Sequence, residues 1–288
     1  AWVLETAGRH WAARRIEGVY TISNGLTIGK AWDLASPDLV AHATKKGWCS
    51  GAGDFHFTRC YSDFLYTTFS RCKTRRDQTM ELLTSRQGSI TPSWIMQVLR
   101  DHGKNGETGW RPDKGLTGAT VCMHAGFGPA RGSQTTGSMV CHLHPDLPTH
   151  FVTATAAACT GIFKPLWLDI EIPEMGPMPA GTYDSSTLFW RHESLHRETL
   201  RDYDTRILLY QGDRDGLEHE FVSGALNRLG SGPSERGLFS TRCFADANAA
   251  ELKWLERIKH KKLRKRNNIF YTLAWKHFNR KARMTDLS

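Results

Sequence analysis

From Val121 to Pro165 the chain alternates small or β-branched residues with larger ones in three successive segments, 121–129, 134–143 and 149–155, followed by Ile162-Phe-Lys-Pro165. Gly126, Gly128, Pro129 and Gly132 mark the first connection, and Pro145 and Pro148 frame the second. Period-two alternation between such breakers predicts consecutive antiparallel strands, the middle of a sheet that helices cover. At the start of the chain, 1–6, 9–15 and 18–23 read as short strands separated by Gly8 and Gly18, with Asn24-Gly25 as a turn. Ser36-Pro37-Asp38 predicts a helix start, with its end near Gly47. A second helix is expected over 75–87, stopped by Gly88. Thr91-Pro92 opens a third, with Trp94, Ile95, Val98 and Leu99 on one face and Gly103 at its end.

Between these elements, 48–72 is aromatic and loop-like, and 104–118 is a polar, Gly-rich loop. Beyond the strands, the Pro/Met/Gly run at 172–182 predicts a surface excursion and 188–209 a helix. The six glycines of 212–237 suggest a hinge or lid. A long helix is expected over 246–283, apolar at Leu252, Leu255, Ile258, Leu263, Phe270, Leu273 and Phe278.

Composition alters this picture in three ways. With 288 residues, 40% hydrophobic and 23% charged, the chain resembles an ordinary globular protein able to bury roughly 75% of its unfolded surface. No apolar run approaches the ~18 residues of a membrane span. The net charge of +9 is confined to one end. Residues 250–288 hold 12 Lys/Arg against 3 Asp/Glu, and the rest holds 26 of each. Nucleic acid is therefore not an expected partner of the neutral body, and the basic run 257–266 is the one candidate for polyanions, against an ordinary solvated helix face. Finally, the seven cysteines form no C-x-x-C pair and no Cys/His quartet at zinc spacing. They predict reduced, mostly buried thiols in a cytoplasmic protein, with no metal and no cofactor. His192 and His196, four apart, lack the order of a zinc protease and read as a solvated helix face.

Several ordered motifs carry a family likeness. Ala1-Trp-Val-Leu-Glu-Thr-Ala-Gly-Arg-His-Trp-Ala-Ala13, Ile22-Ser-Asn24, Cys122-Met-His-Ala-Gly126, Thr135-Thr-Gly-Ser-Met-Val140 and Ile162-Phe-Lys-Pro165 resemble the middle of the secernin and dipeptidase A family of N-terminal nucleophile hydrolases. The resemblance covers about residues 1–205. It implies an α+β fold of αββα type, two antiparallel sheets between helices, incomplete here and followed by a Gly-rich hinge or lid (206–245) and a basic helical tail (246–288). It also implies hydrolysis of dipeptides or small amides by a cysteine at the mature N-terminus whose own α-amine, with pKa near ~8, acts as base.

Residue 1 here is Ala, so on this reading the nucleophile lies on an upstream segment outside the chain, and the fragment alone is inactive. Asn24 matches the Asn that donates to the oxyanion in related hydrolases, although Asn-Gly is also a common turn. Thr135, Thr136 and Ser138 are candidate cleft residues by position. Arg131, which with His124 flanks the Gly-rich connection, is a candidate ligand for a substrate carboxylate. Cys49 is the most loop-like thiol. The alternatives to a hydrolase are a non-catalytic secernin-like scaffold or interaction protein, and polyanion binding through the tail.

Overall fold

Gly8, at φ +62°, turns the chain between two antiparallel strands, β1 (Trp2–Ala7) and β2 (His10–Arg15), paired from Trp2↔Arg15 to Ala7↔His10. A side chain there would strain the left-handed backbone. In the computed structural model, residues 1–63, 67, 70–103, 109–115, 120–127 and 131–284 are described. Parts of the loop predicted over 104–118, and the Gly128-Pro129 turn, fall outside them. The chain divides into two units, Ala1–Ile90 and Thr91–Ser288.

In the first unit β2 also pairs with β3 (Leu34–Ala35). The predicted strand at 18–23 is absent because β3 takes the place beside β2. The carboxylate of Glu5 accepts the N–H groups of Thr27 and Ile28, each at 2.8 Å, fixing the chain after Asn24 as a turn. Alternation on β1 leaves Trp2 and Leu4 exposed. Val3 and Ala7 pack with Ala12, Ile28, Leu39 and Phe57. The first predicted helix is shorter than expected, α1 (Leu39–Lys45), because Asp38 is drawn to Arg9 and His10 instead of capping it. A short helix, α2 (Phe57–Tyr61), interrupts the aromatic loop. The helix predicted before Gly88 is present as α3 (Cys72–Thr84).

The second unit opens as its sequence predicts. Thr91 Oγ1 accepts Trp94 N–H at 3.2 Å and caps α4 (Pro92–Leu99). The sheet is β4 (Met139–His142), β5 (Thr149–Val152) and β6 (Lys164–Leu166), antiparallel throughout and in that order. Helices α5 (Leu188–Leu200), α6 (Tyr203–Arg206), α7 (Gln211–Leu226), α8 (Pro233–Lys259) and α9 (Ile269–Lys281) follow. β6 packs on α7 and α8, and α5 lies along α8. Phe151, Ile162, Phe163, Trp167, Leu195 and Trp254 join in one core. The chain is thus a mixed α+β protein with two small antiparallel three-stranded sheets, one in each unit.

Four expectations are corrected here. The segment 121–129 forms no strand among its described residues, only a bridge between Phe127 and Arg131. Its N–H groups go to scattered acceptors, Cys122 to Asp101 O and Met123 to Thr135 Oγ1. The stretch 212–237 is helical for most of its length, not a hinge loop. A Cβ at Gly224 would lie 2.5 Å from the Phe239 ring, so that glycine serves close packing of α7 on α8. The long helices predicted over 188–209 and 246–283 each break. Asp202 lies at the first break, just past the Arg201 C-cap of α5, and its carboxylate reaches the second, accepting Arg264 N–H and Lys265 N–H at 2.7 and 3.3 Å. Lastly, His192 and His196 are fully buried rather than solvated. Among the described residues no helix is long and apolar enough to cross a membrane.

Candidate functional site

Arg100, just past α4, meets Glu218 of α7 in a two-pronged pair, Nη1–Oε1 at 2.7 Å and Nη2–Oε2 at 2.6 Å. The same guanidinium donates to Ala158 O and Gly161 O, and Glu218 also accepts Phe163 N–H at 2.8 Å. Arg214 clamps the turn from the other side by donating to Cys159 O. The turn between β5 and β6 is tightly bent, with Ala154 and Ala157 in left-handed backbone at φ 54° and 48°. That conformation costs an alanine of order 1–2 kcal/mol, and the arginine clamps help hold it in place.

This turn delivers Cys159 to a cluster. His102 follows α4, Cys122 and His124 lie on the loop before the sheet, and one ligand atom from each of His102, Cys122, His124 and Cys159 lies within 4.8 Å of the others. His124 Nε2 is 3.1 Å from His102 Nε2, 3.3 Å from Cys159 Sγ and 3.6 Å from Cys122 Sγ. Trp110 stacks on His102 at 3.6 Å, and His196 stacks on His124 at 5.5 Å. Burial alone would raise the Cys159 thiol, but the hydrogen bond from Cys122 and the His124 and His102 rings hold it well below the usual range. The bond to Cys159, then burial, pushes Cys122 well up. Burial keeps His124 and, more strongly, His196 neutral. His102 and Cys159 reach a cleft of about 570 Å3 that also carries the Arg100, Arg214, Asp215 and Glu218 charges. Deprotonated sulfur and neutral imidazoles are metal ligands, and a thiolate beside imidazole is also a nucleophile.

Behind the cluster a second polar chain is fully buried. Thr160 Oγ1 lies 3.0 Å from His196 Nδ1 and 3.3 Å from His192 Nε2, and His192 Nδ1 lies 2.9 Å from Glu251 Oε1. Lys164 donates to Thr153 O and Ile162 O. Burial lowers its pKa to about 8 against the pull of Glu251 and Glu218.

The residues singled out by sequence fall elsewhere. Asn24 is exposed in the first unit, and its Oδ1 accepts from Arg75 Nη2 at 2.5 Å. Arg131 is buried. It donates to Lys114 O, Gly115 O and Pro112 O and lies over the Phe127 ring. That arrangement suits a strut for the 112–115 loop better than a carboxylate ligand. Thr135 accepts Met123 N–H, Ser138 N–H donates to Thr153 Oγ1, and Thr136 is exposed. Cys49 is buried, as are all the cysteines except Cys141, and all seven are free. His124 alone joins the cluster. Its partners His102, Cys122 and Cys159 escaped sequence reasoning. No Cys/His quartet shows at zinc spacing in the sequence because these four residues lie on three segments that meet only through the fold. Its one local sign is the Cys-Met-His triplet at 122–124.

The basic run is not the continuous helix expected. Residues 260–268 are irregular, tied by Asp202 and by Asn267 donating to Leu200 O. Lys265 pairs with Asp204 at 3.0 Å. A polyanion surface this small and partly neutralised is expected to bind duplex DNA or heparin undetectably at physiological salt. Tight binding with a log–log salt slope near ~0.9 per phosphate contact would restore the polyanion reading. None of the protein-family models searched matches the chain.

Proposed function

We propose that the chain is part of a dipeptidase-like amide hydrolase of the N-terminal nucleophile cysteine class. The ordered motifs of residues 1–165 support this reading, and the structural observation that favours it is the orientation of Asn24. A guanidinium only donates, so the atom facing Arg75 is the amide oxygen and Nδ2 points away from it. A carboxamide held in this way has its N–H directed away from Arg75, as a donor to a developing oxyanion would require. On this reading the nucleophile is a cysteine at the N-terminus of the mature enzyme. Its α-amine is the base, the substrate is a dipeptide or small amide, and no cofactor takes part in the reaction.

The test is dipeptide hydrolysis by a longer product of the same gene whose mature chain begins with cysteine. Turnover is expected, with complete loss on Cys→Ala at that first residue. Asn24→Ala should slow it about 10²–10³-fold, the usual loss for one oxyanion donor. Arg75→Met should slow it less, because it only frees the carboxamide to rotate. Unchanged turnover in Asn24→Ala removes the role assigned to Asn24. Absence of turnover with any dipeptide favours a non-catalytic scaffold.

A further inference from the structure

The geometry points to a tetrahedral soft-metal site of the zinc class, formed by His102, Cys122, His124 and Cys159, independently of the hydrolase reading. Four observations carry it. The first is the spacing of the ligand atoms. Zinc bonds to nitrogen and sulfur in a tetrahedron put ligand atoms roughly 3.3 Å apart for two nitrogens and roughly 3.6 Å apart for nitrogen and sulfur. The distances from His124 Nε2 are 3.1 Å to His102 Nε2, and 3.3 and 3.6 Å to the two sulfurs.

The second is valence. Three groups converge on His124 Nε2, which has a single lone pair or a single hydrogen to offer. Hydrogen bonding satisfies one of them. An ion at the centre takes one lone pair from each of the four ligands.

The third is charge. Two thiolates and two neutral imidazoles around a divalent cation sum to zero, an arrangement that burial tolerates without an outside partner. The donors are sulfur and imidazole with no carboxylate, which selects zinc-like ions over magnesium or calcium.

The fourth is the architecture around the ligands. They come from three irregular segments, 101–103, 120–124 and 156–160, and a single backbone bond, Cys122 N–H to Asp101 O at 3.0 Å, links the first two. A four-ligand site is closed, so its role is to staple these segments and set the wall of the cleft that His102 and Cys159 line.

The experiment uses the whole 288-residue chain. Protein made in zinc-supplemented medium and purified under reducing conditions is assayed for bound metal, then stripped with a chelator and titrated anaerobically with cobalt. The expected result is one ion per chain, the visible bands of a tetrahedral cobalt site and a near-ultraviolet thiolate charge-transfer band. Cys159→Ser and His102→Ala should weaken binding by at least tenfold, whereas Cys243→Ser and Cys49→Ser, buried thiols outside the cluster, should leave it unchanged. A wild-type chain that takes up no cobalt, or takes it up with an octahedral spectrum lacking the thiolate band, overturns the assignment. So does equal metal content in wild type and Cys159→Ser. The cobalt spectrum of the wild type decides the matter even if a variant fails to fold, and none of these readouts depends on hydrolysis.

Discussion

Replacing Glu218 by alanine will destabilise the second unit by about 3–5 kcal/mol, the usual cost of breaking a buried ion pair from one side. Three donors lose their acceptor at once, two from Arg100 and the N–H of Phe163. Both side chains are about one-tenth exposed at the cleft, 11% for Arg100 and 9% for Glu218, so water offers limited compensation. The Arg100 charge is left facing the carbonyls of Ala158 and Gly161, in a turn that already holds two alanines in left-handed backbone. The double replacement Arg100→Met with Glu218→Leu should recover most of the loss, because apolar groups of similar size remove the stranded charge. Denaturant midpoints of the three proteins measure this. A single-variant loss below about 1 kcal/mol would place the pair with ordinary surface bridges and refute its role as a strut.

Local chemistry made part of this fold legible from sequence. The hairpin around Gly8 follows from alternation and one residue that tolerates positive φ. The start of α4 follows from a threonine whose hydroxyl takes the Trp94 N–H, with proline behind it. Where sequence reading failed, a partner distant in sequence had decided the outcome. Glycine clusters signal loops when nothing else is known, yet Gly224 lies in the last turn of α7, where Phe239 occupies the space of its missing side chain. Residues 121–129 have the alternation of a strand, but the N–H groups of Cys122 and Met123 are taken singly by Asp101 and Thr135.

The site was the least legible feature. The ligand-bearing positions 102, 122 and 159 are too far apart for any spacing rule, and the turn bearing Cys159 is held by Arg100, just past α4, and Arg214 of α7. His192 and His196 show the same limit. Their i, i+4 spacing fits an exposed stripe as well as a buried one, and burial of His192 depends on partners distant in sequence, Thr160 and Glu251, the latter 59 residues away.

Replacing Glu251 by glutamine will reverse the sign of the pH dependence between about pH 5 and 8. In the native protein burial would lower His192, but the adjacent Glu251 carboxylate, with help from Glu193, raises it above 6.5 against Lys164. A raised histidine stabilises fully below its unfolded value of 6.5, and that contribution is lost as pH rises through the folded value. Glu251 is held below 4.5 by His192 and Lys164 despite its burial. Its contribution is therefore present above 4.5 and lost as pH falls through the folded value. Lys164, lowered from 10.5 to about 8, adds the opposite trend further up, since deprotonation relieves its burial between those values. The pair thus makes stability greatest between about 4.5 and 6.5 and lets it decline above. With glutamine at 251, His192 loses the charge that raised it and burial favours its neutral form. The unfolded chain then binds more protons below 6.5, so stability rises with pH through that range. Lys164 also loses a countercharge, and the total loss at pH 6 should be about 3–5 kcal/mol. Urea midpoints for both proteins across the interval measure the two slopes. Slopes of the same sign would mean that Glu251 does not hold the His192 charge.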